Sequence, residues 1–365
     1  MPTEPARGAG PQHPLVPLLQ ALTELPGPSG REHAVGRRVA DLLAPYVTDI
    51  RHDALGNCIA LKQGAGPEPR PRLMLAAHMD EIGLIVTRVE EGGFLRFAPV
   101  GGVDARAVLG QEVRVHADAP LPGYVGAKPP HLLTSQERDR TIPLEDLFID
   151  VGLPEEAARR RIPPGTFVTV HQPLTPLLGT RVAGKALDNR ASVAALIEAM
   201  RLLARWHHEA DVYAVATVQE EVGLRGAMVS TYRVVPDMAI AVDVGFGAAP
   251  GLPEDQVLAM GQGPAIGLGA NIHPRLHGML VRTAQQHNIP HQIEPLPGST
   301  GTDAWAMQVV QSGVPTALVS IPARYLHTSV EVVDLEDVRH TARLLAHLAA
   351  SVTAADPEGW RYDLA

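Results

Sequence analysis

The segment Leu73-Met74-Leu75-Ala76-Ala77-His78-Met79-Asp80 is an apolar run closed by an imidazole and a carboxylate. A short, continuously apolar run reads as a strand buried on both faces, and polar groups at its carboxyl end stand where open α/β sheets gather their ligands. The pattern recurs. Val212–Val218 is followed by Gln219-Glu220-Glu221, Met238–Val242 by Asp243, and Thr316–Ile321 lies a short loop before His327. Asp188 sits in Lys185-Ala186-Leu187-Asp188-Asn189-Arg190, just ahead of a long helical pattern. Residues so distant in sequence meet only through a fold, so one crevice is expected to collect His78, Asp80, Asp188, Glu220, Glu221, Asp243 and His327.

Between these runs the apolar period becomes helical. Glu32–Leu43 carries Val35, Val39, Leu42 and Leu43 on one face, and Asn189–Trp206, Leu224–Ser230, Arg275–His287, Thr302–Gln311 and Leu335–Val352 continue the series, the last with Asp334 as N-cap. Alternating strands and helices predict a three-layer α/β architecture, with helices on both faces of a mixed sheet. Past Gly83 the character changes. Short alternating stretches at Leu84–Val89, Phe94–Phe97, Val113–His116 and Phe167–Val170 are broken by Gly and Pro, with Glu91-Gly92-Gly93 as a hairpin turn and a helix near Pro154–Arg160. A small, mostly β, barrel-like domain is expected over 84–178, inserted into an α/β domain of 14–83 and 179–365, after a Pro- and Gly-rich tail at 1–13.

The chain has 365 residues, 45% of them hydrophobic, enough for one large core and a smaller one. Its single cysteine, Cys58 in Cys58-Ile59-Ala60-Leu61, excludes an internal disulfide and reads as a core residue. The start lacks a secretory signal and no apolar run spans a membrane, so the expectation is a soluble cytoplasmic protein with no membrane partner. The net charge of −9, without a basic stripe interleaved with aromatics, argues against a nucleic-acid partner.

Two imidazoles with several carboxylates and no thiolate suit hard or borderline divalent ions, and the set exceeds what one tetrahedral ion needs. Two such ions bring four positive charges, which Asp188, Glu221, Asp243 and a bridging hydroxide would cancel, so the site can be buried cheaply. The ions are expected roughly 3.5–4 Å apart, as in paired-metal hydrolases. Asp188 has the best context for the bridge. Its simpler reading is an N-cap, and that of Asp243 a strand-end turn residue. Neighbours on an extended chain point oppositely, so one of Glu220 and Glu221 should bind metal and the other act as base. His78 and Asp80, two apart, would share a face, letting Asp80 orient the imidazole.

Ala77-His78-Met79-Asp80-Glu81-Ile82-Gly83, Lys185–Arg190, Val218-Gln219-Glu220-Glu221-Val222-Gly223, Asp243-Val244-Gly245 and His327-Thr328-Ser329, in this order, resemble the sequence blocks of the M42 metallo-aminopeptidases, which include the glutamyl and tetrahedral aminopeptidases. Lys128–Leu133 and Gly301-Thr302-Asp303-Ala304 also look like family segments, with weaker claims for His131 and Asp303, whereas Gly298-Ser299-Thr300 departs from the plain glycine-rich form. The resemblance implies His78, Asp188, Glu221, Asp243 and His327 as ligands of two divalent ions, zinc or cobalt, with Asp188 bridging, Glu220 as general base and Asp80 positioning His78. It implies hydrolysis of the first peptide bond of peptide substrates by a metal-bridging water. It further implies a homo-oligomer, with the inserted domain helping to assemble dimers into tetrahedral dodecamers.

A paired-metal carboxypeptidase or N-acyl amino acid deacylase is the alternative. It would need a cation for the substrate carboxylate, for which Arg181 and Arg324 are candidates. A two-carboxylate glycosidase leaves His78, Asp188, Asp243 and His327 without a role, and a non-catalytic scaffold leaves the spare glutamate unexplained. The remaining histidines, including His207, His208, His273, His277, His287, His340 and His347, read as surface or packing residues.

Overall fold

In the computed structural model, which describes residues 13–138 and 140–356, the four apolar runs lie side by side at the centre of an 11-stranded mixed sheet. Residues 1–12 of the expected tail fall outside the described residues. The strand order is Asp49–His52, Cys58–Lys62, Asp211–Thr217, Arg72–His78, Met238–Phe246, Thr316–Arg324, Glu331–Asp334, Arg181–Gly184 and Thr175–Pro176; Ala265–Gly269 and Gln292–Leu296 branch from Thr316–Arg324. The central four strands are parallel and buried along nearly their whole length, as continuous apolar runs require. Antiparallel strands flank them on both sides.

Leu187–Leu203 packs against the central strands and against Leu335–Ser351, whose N-terminus is capped by Asp334 accepting the Glu336 N–H. The helices Arg225–Val234 and Asp303–Met307 cover the opposite face. The architecture is thus the expected three-layer α/β arrangement. Two details differ. Met238–Phe246 and Thr316–Arg324 continue pairing past their apolar runs, so Asp243 lies within its strand opposite Ser320 rather than in a turn. The helix expected over 302–311 stops at Met307, because the chain then turns through Gln311, at φ 54, to Gly313.

Gly83–Val89, Leu95–Val100, Phe148–Asp150, Leu121–Gly126, Glu112–Val115 and Phe167–Val170 close, in that order, into a six-stranded barrel. It has its own apolar interior, including Leu84, Leu95, Val113, Ile149 and Val168, distinct from the core of the large sheet. The Glu91–Gly93 turn joins its first hairpin, and only glycine fits at 93, where an added Cβ would lie 2.1 Å from the Leu153 carbonyl. Glu155–Arg161 forms the expected short helix. Among the described residues, no helix is long and apolar enough to cross a membrane.

Candidate active site

His78 ends its strand opposite Thr217, and beyond Thr217 the chain turns sharply to present Glu220 and Glu221. The strand stops at His78, so the pleat does not set the relation between His78 and Asp80; Nδ1 and Oδ1 approach to only 3.5 Å. Asp80 also accepts the Ser29 hydroxyl at 2.6 Å and the backbone N–H groups of Glu220 and Glu221 at 3.1 and 3.2 Å. One buried carboxylate therefore holds both glutamates in place.

The sheet brings all seven predicted residues together. His78 Nε2 lies 3.2 Å from Asp188 Oδ1, 3.7 Å from Asp243 Oδ1 and 3.9 Å from Glu220 Oε2. His327 Nε2 lies 3.3 Å from Glu221 Oε1 and 3.5 Å from Asp188 Oδ2. Asp188 thus offers a different oxygen to each imidazole. Donor atoms of His78, Glu220 and Asp243, and separately of His78, Asp188 and Glu221, fall within 4.8 Å of one another.

Asp188 does not cap its helix. The residue at the N-cap is Ala186 at φ 56, Asp188 itself has non-helical backbone (φ −77, ψ 101), and no side chain caps the helix. Its N–H donates to Glu331 Oε2 at 2.9 Å, while Glu331 Oε1 accepts the His327 N–H at 3.0 Å. Ala186, Gln219 and His327 all take positive φ, a conformation costing non-glycine residues on the order of 1–3 kcal/mol and concentrated at functional sites.

Several supporting residues escaped the sequence reading. Glu331 is one, although an acid opening the apolar run Glu331-Val332-Val333 was a signal. Asn57 accepts the Val218 N–H at 2.9 Å and donates to the Gly226 carbonyl at 3.0 Å, bracing the turn that carries the two glutamates. Glu81 pairs with Lys185 at 2.7 Å and Arg190 at 3.1 Å, the two bases that bracket Asp188. The Gly102 carbonyl, in the loop between the barrel strands Leu95–Val100 and Glu112–Val115, accepts from His327 Nδ1 at 3.0 Å, which leaves Nε2 facing the carboxylates. A Cβ at residue 102 would sit 2.7 Å from that nitrogen. Asp303, buried beneath the set, has one oxygen accepting the Thr217 hydroxyl at 2.5 Å and the other unpartnered. His131 and the remaining histidines do not line the cleft, and His287 stacks on His347 at 3.6 Å.

Burial pushes Glu220 up to about 10, with Asp243 adding to the rise and His78 opposing it. Burial raises Glu221 and Asp243 too. The hydrogen bond to Glu221 lifts His327 to about 9, and His78 is held well above its usual value because the surrounding carboxylates outweigh its burial. Crowded acids that take up protons when desolvated are what divalent cations would relieve, and the all-N/O donor set suits such ions.

The set opens into a cleft of ≈ 1520 Å³ with apolar walls that include Phe246, Leu258, Leu296 and Leu318. Ser299, Thr300 and Gly301 form part of its rim. No Lys or Arg is among the described residues that line it. Arg324 donates to the Ala248 carbonyl at 2.6 Å and Arg181 faces Asp334 at 3.7 Å, so neither candidate for a carboxylate clamp reaches the cleft.

A model of the M42 glutamyl aminopeptidase family matches residues 56–344. The chain is 39% identical over 344 residues to the lysyl aminopeptidase of Pyrococcus furiosus, covering 93% of this chain and 98% of that protein. It is 30% identical to the glutamyl aminopeptidase of Lactococcus lactis, covering 92% and 95%. Among solved structures it resembles a TET aminopeptidase from a marine-sediment Thaumarchaeota archaeon, with TM-score 0.90, 32% identity and coverage of 94% and 98%. It also resembles the Pyrococcus horikoshii TET1 peptidase, which can assemble into a tetrahedron or a large octahedral shell, with TM-score 0.81, 33% identity and coverage of 93% and 100%.

Proposed function

This chain belongs to the M42 glutamyl aminopeptidase family of peptide-bond hydrolases, and on that premise we propose a paired-metal aminopeptidase that removes the first residue of peptides with Glu220 as general base. The observation that carries this is Asp188, whose two oxygens face two different imidazoles. His78 and Asp243 would hold one ion on the Oδ1 side, and Glu221 and His327 the other on the Oδ2 side, with zinc or cobalt the expected metals. When bound, the ions supply Lewis acidity toward the scissile carbonyl and toward water.

The chain's own groups do the rest. Glu220 takes the proton of the attacking water and returns one to the leaving amine; its side chain is largely buried, which favours the protonated state it must pass through. Asp80 fixes Glu220 and Glu221 through their N–H groups, and Glu331 fixes Asp188 and His327 in the same manner. With no Lys or Arg among the described residues that line the cleft, a carboxypeptidase or N-acyl amino acid deacylase would lack its carboxylate clamp there.

The barrel and its flanks, residues 84–178, would serve dimerisation and assembly, in keeping with the tetrahedral shells of similar peptidases. The test pairs two variants. Glu220→Gln should abolish hydrolysis of amino-acid anilides while retaining its metal by elemental analysis, whereas Glu221→Gln should lose metal. The reverse pattern overturns the assignment of roles, and activity only on carboxyl-terminal reporters overturns the aminopeptidase.

A further inference from the structure

Beyond the carboxylates that surround the two imidazoles, the cleft holds three further acids, the exposed Glu254 and Asp255 and the half-buried Glu294 on the branch strand Gln292–Leu296. Glu294 Oε2 accepts the Ser320 hydroxyl at 2.6 Å. Its Oε1 has no partner among the described residues, and it lies 3.3 Å from where a Cβ on Gly245 would be. A Cβ at 245 would also lie 2.7 Å from Leu258 Cδ1, so glycine there lets Leu258 and this carboxylate approach the strand closely. Gly245 follows Asp243 by two residues on one strand and so shares its face. At strand spacing that places the Glu294 carboxylate roughly 7 Å along the sheet from the proposed ligand.

Leu258 and Ser320 stand beside Gly245, and Leu296 and Leu318 add apolar lining to the same cleft. An apolar sleeve with one half-buried carboxylate, and no cation among the described lining residues, is complementary to a methylene stem ending in a positive charge. We propose that Glu294 is the specificity residue of the cleft and selects peptides whose first residue is lysine or arginine. The proposal rests on the aminopeptidase reading and adds its substrate class. An ammonium or guanidinium supplies the counter-charge that Glu294 lacks, while a substrate carboxylate meets repulsion from Glu294 and from Glu254 and Asp255 in the same cleft.

The clean comparison is lysine against norleucine anilide, which share a stem and differ in the charge, assayed on the metal-loaded wild type and Glu294→Gln. Wild type should favour lysine in kcat/KM by at least about tenfold, the lower end for a hydrogen bond to a charged group. Glu294→Gln should bring the ratio near unity. A ratio unchanged in the variant overturns the proposal. Should the variant fail to fold, the wild-type ratio still decides: equal or better cleavage of norleucine or glutamate anilide defeats the specificity alone. No cleavage of any anilide by the metal-loaded enzyme defeats the aminopeptidase reading with it.

Discussion

Replacing Glu81 by Gln should destabilise the protein by about 3–5 kcal/mol, the usual cost of breaking a buried ion pair from one side. Glu81 is 4% exposed and serves three donors: Lys185 Nζ at 2.7 Å, Arg190 Nη2 at 3.1 Å and the Gly27 N–H at 2.9 Å. Arg190 keeps carbonyl partners at Leu22 and Met79, 2.8 and 3.2 Å away. Lys185 has no other acceptor among the described residues, so the loss concentrates there. Burial pulls Lys185 down even as Glu81 pulls it up, so the attraction mainly offsets the cost of burying both charges. Glu81→Gln with Lys185→Met should therefore recover at least about half of the loss.

The pH dependence has a definite sign. Burial alone would raise Glu81, but Lys185 and Arg190 outweigh it and hold its carboxyl below the ordinary value of 4.5. Its contribution is fully present above that value and is lost as pH falls through the depressed one. Urea unfolding of the two single variants, the double variant and wild type, at neutral pH and below pH 4.5, reads both effects. A single-variant cost under about 1 kcal/mol, or coupling below about 0.5 kcal/mol, would refute the reasoning.

Gly102→Ala should push His327 from its site and weaken metal affinity by roughly 10–100-fold, the range for losing an outer-shell partner, read by competition with a chromophoric chelator. Asn57→Ala should cost about 1–3 kcal/mol by orphaning the Val218 N–H, and should slow turnover through the adjoining glutamates; equal kcat with lower stability would separate the two effects. Dialysis against chelator should abolish turnover and lower the calorimetric midpoint, and zinc or cobalt at about 100 times Kd should restore about 2.7 kcal/mol per ion. Cys58, buried and pushed up to about 12 by that burial, should resist thiol reagents until the protein unfolds, which mass spectrometry will show.

The strands that carry His78, Glu220 and Asp243 were legible because parallel strands covered on both faces are continuously apolar, and a charge ending such a run stands out. The barrel was legible from its change of period and its glycines. What the sequence hid depends on three-dimensional partners. Asp188 reads as a helix cap in one dimension, yet Ala186 and Glu331 turn it into the cleft. Asp80 reads as the partner of His78 by spacing and does lie 3.5 Å from its Nδ1, but its further donors, the Ser29 hydroxyl and the Glu220 and Glu221 N–H groups, are 51, 140 and 141 residues away and leave no local trace. Glu294 lies on a short strand that turns the apolar Ile293 and Pro295 outward and half-buries Gln292, Glu294 and Leu296, so its sequence pattern does not mark it as part of the cleft.

The hydrogen bond from His327 to Gly102 joins two separately packed bodies through a single imidazole. A tug on the barrel is thereby delivered to the ring proposed to hold one ion, without passing through any other side chain. Core-loosening changes in the barrel, remote from every reacting atom, should first register as faster metal escape rather than as lost secondary structure.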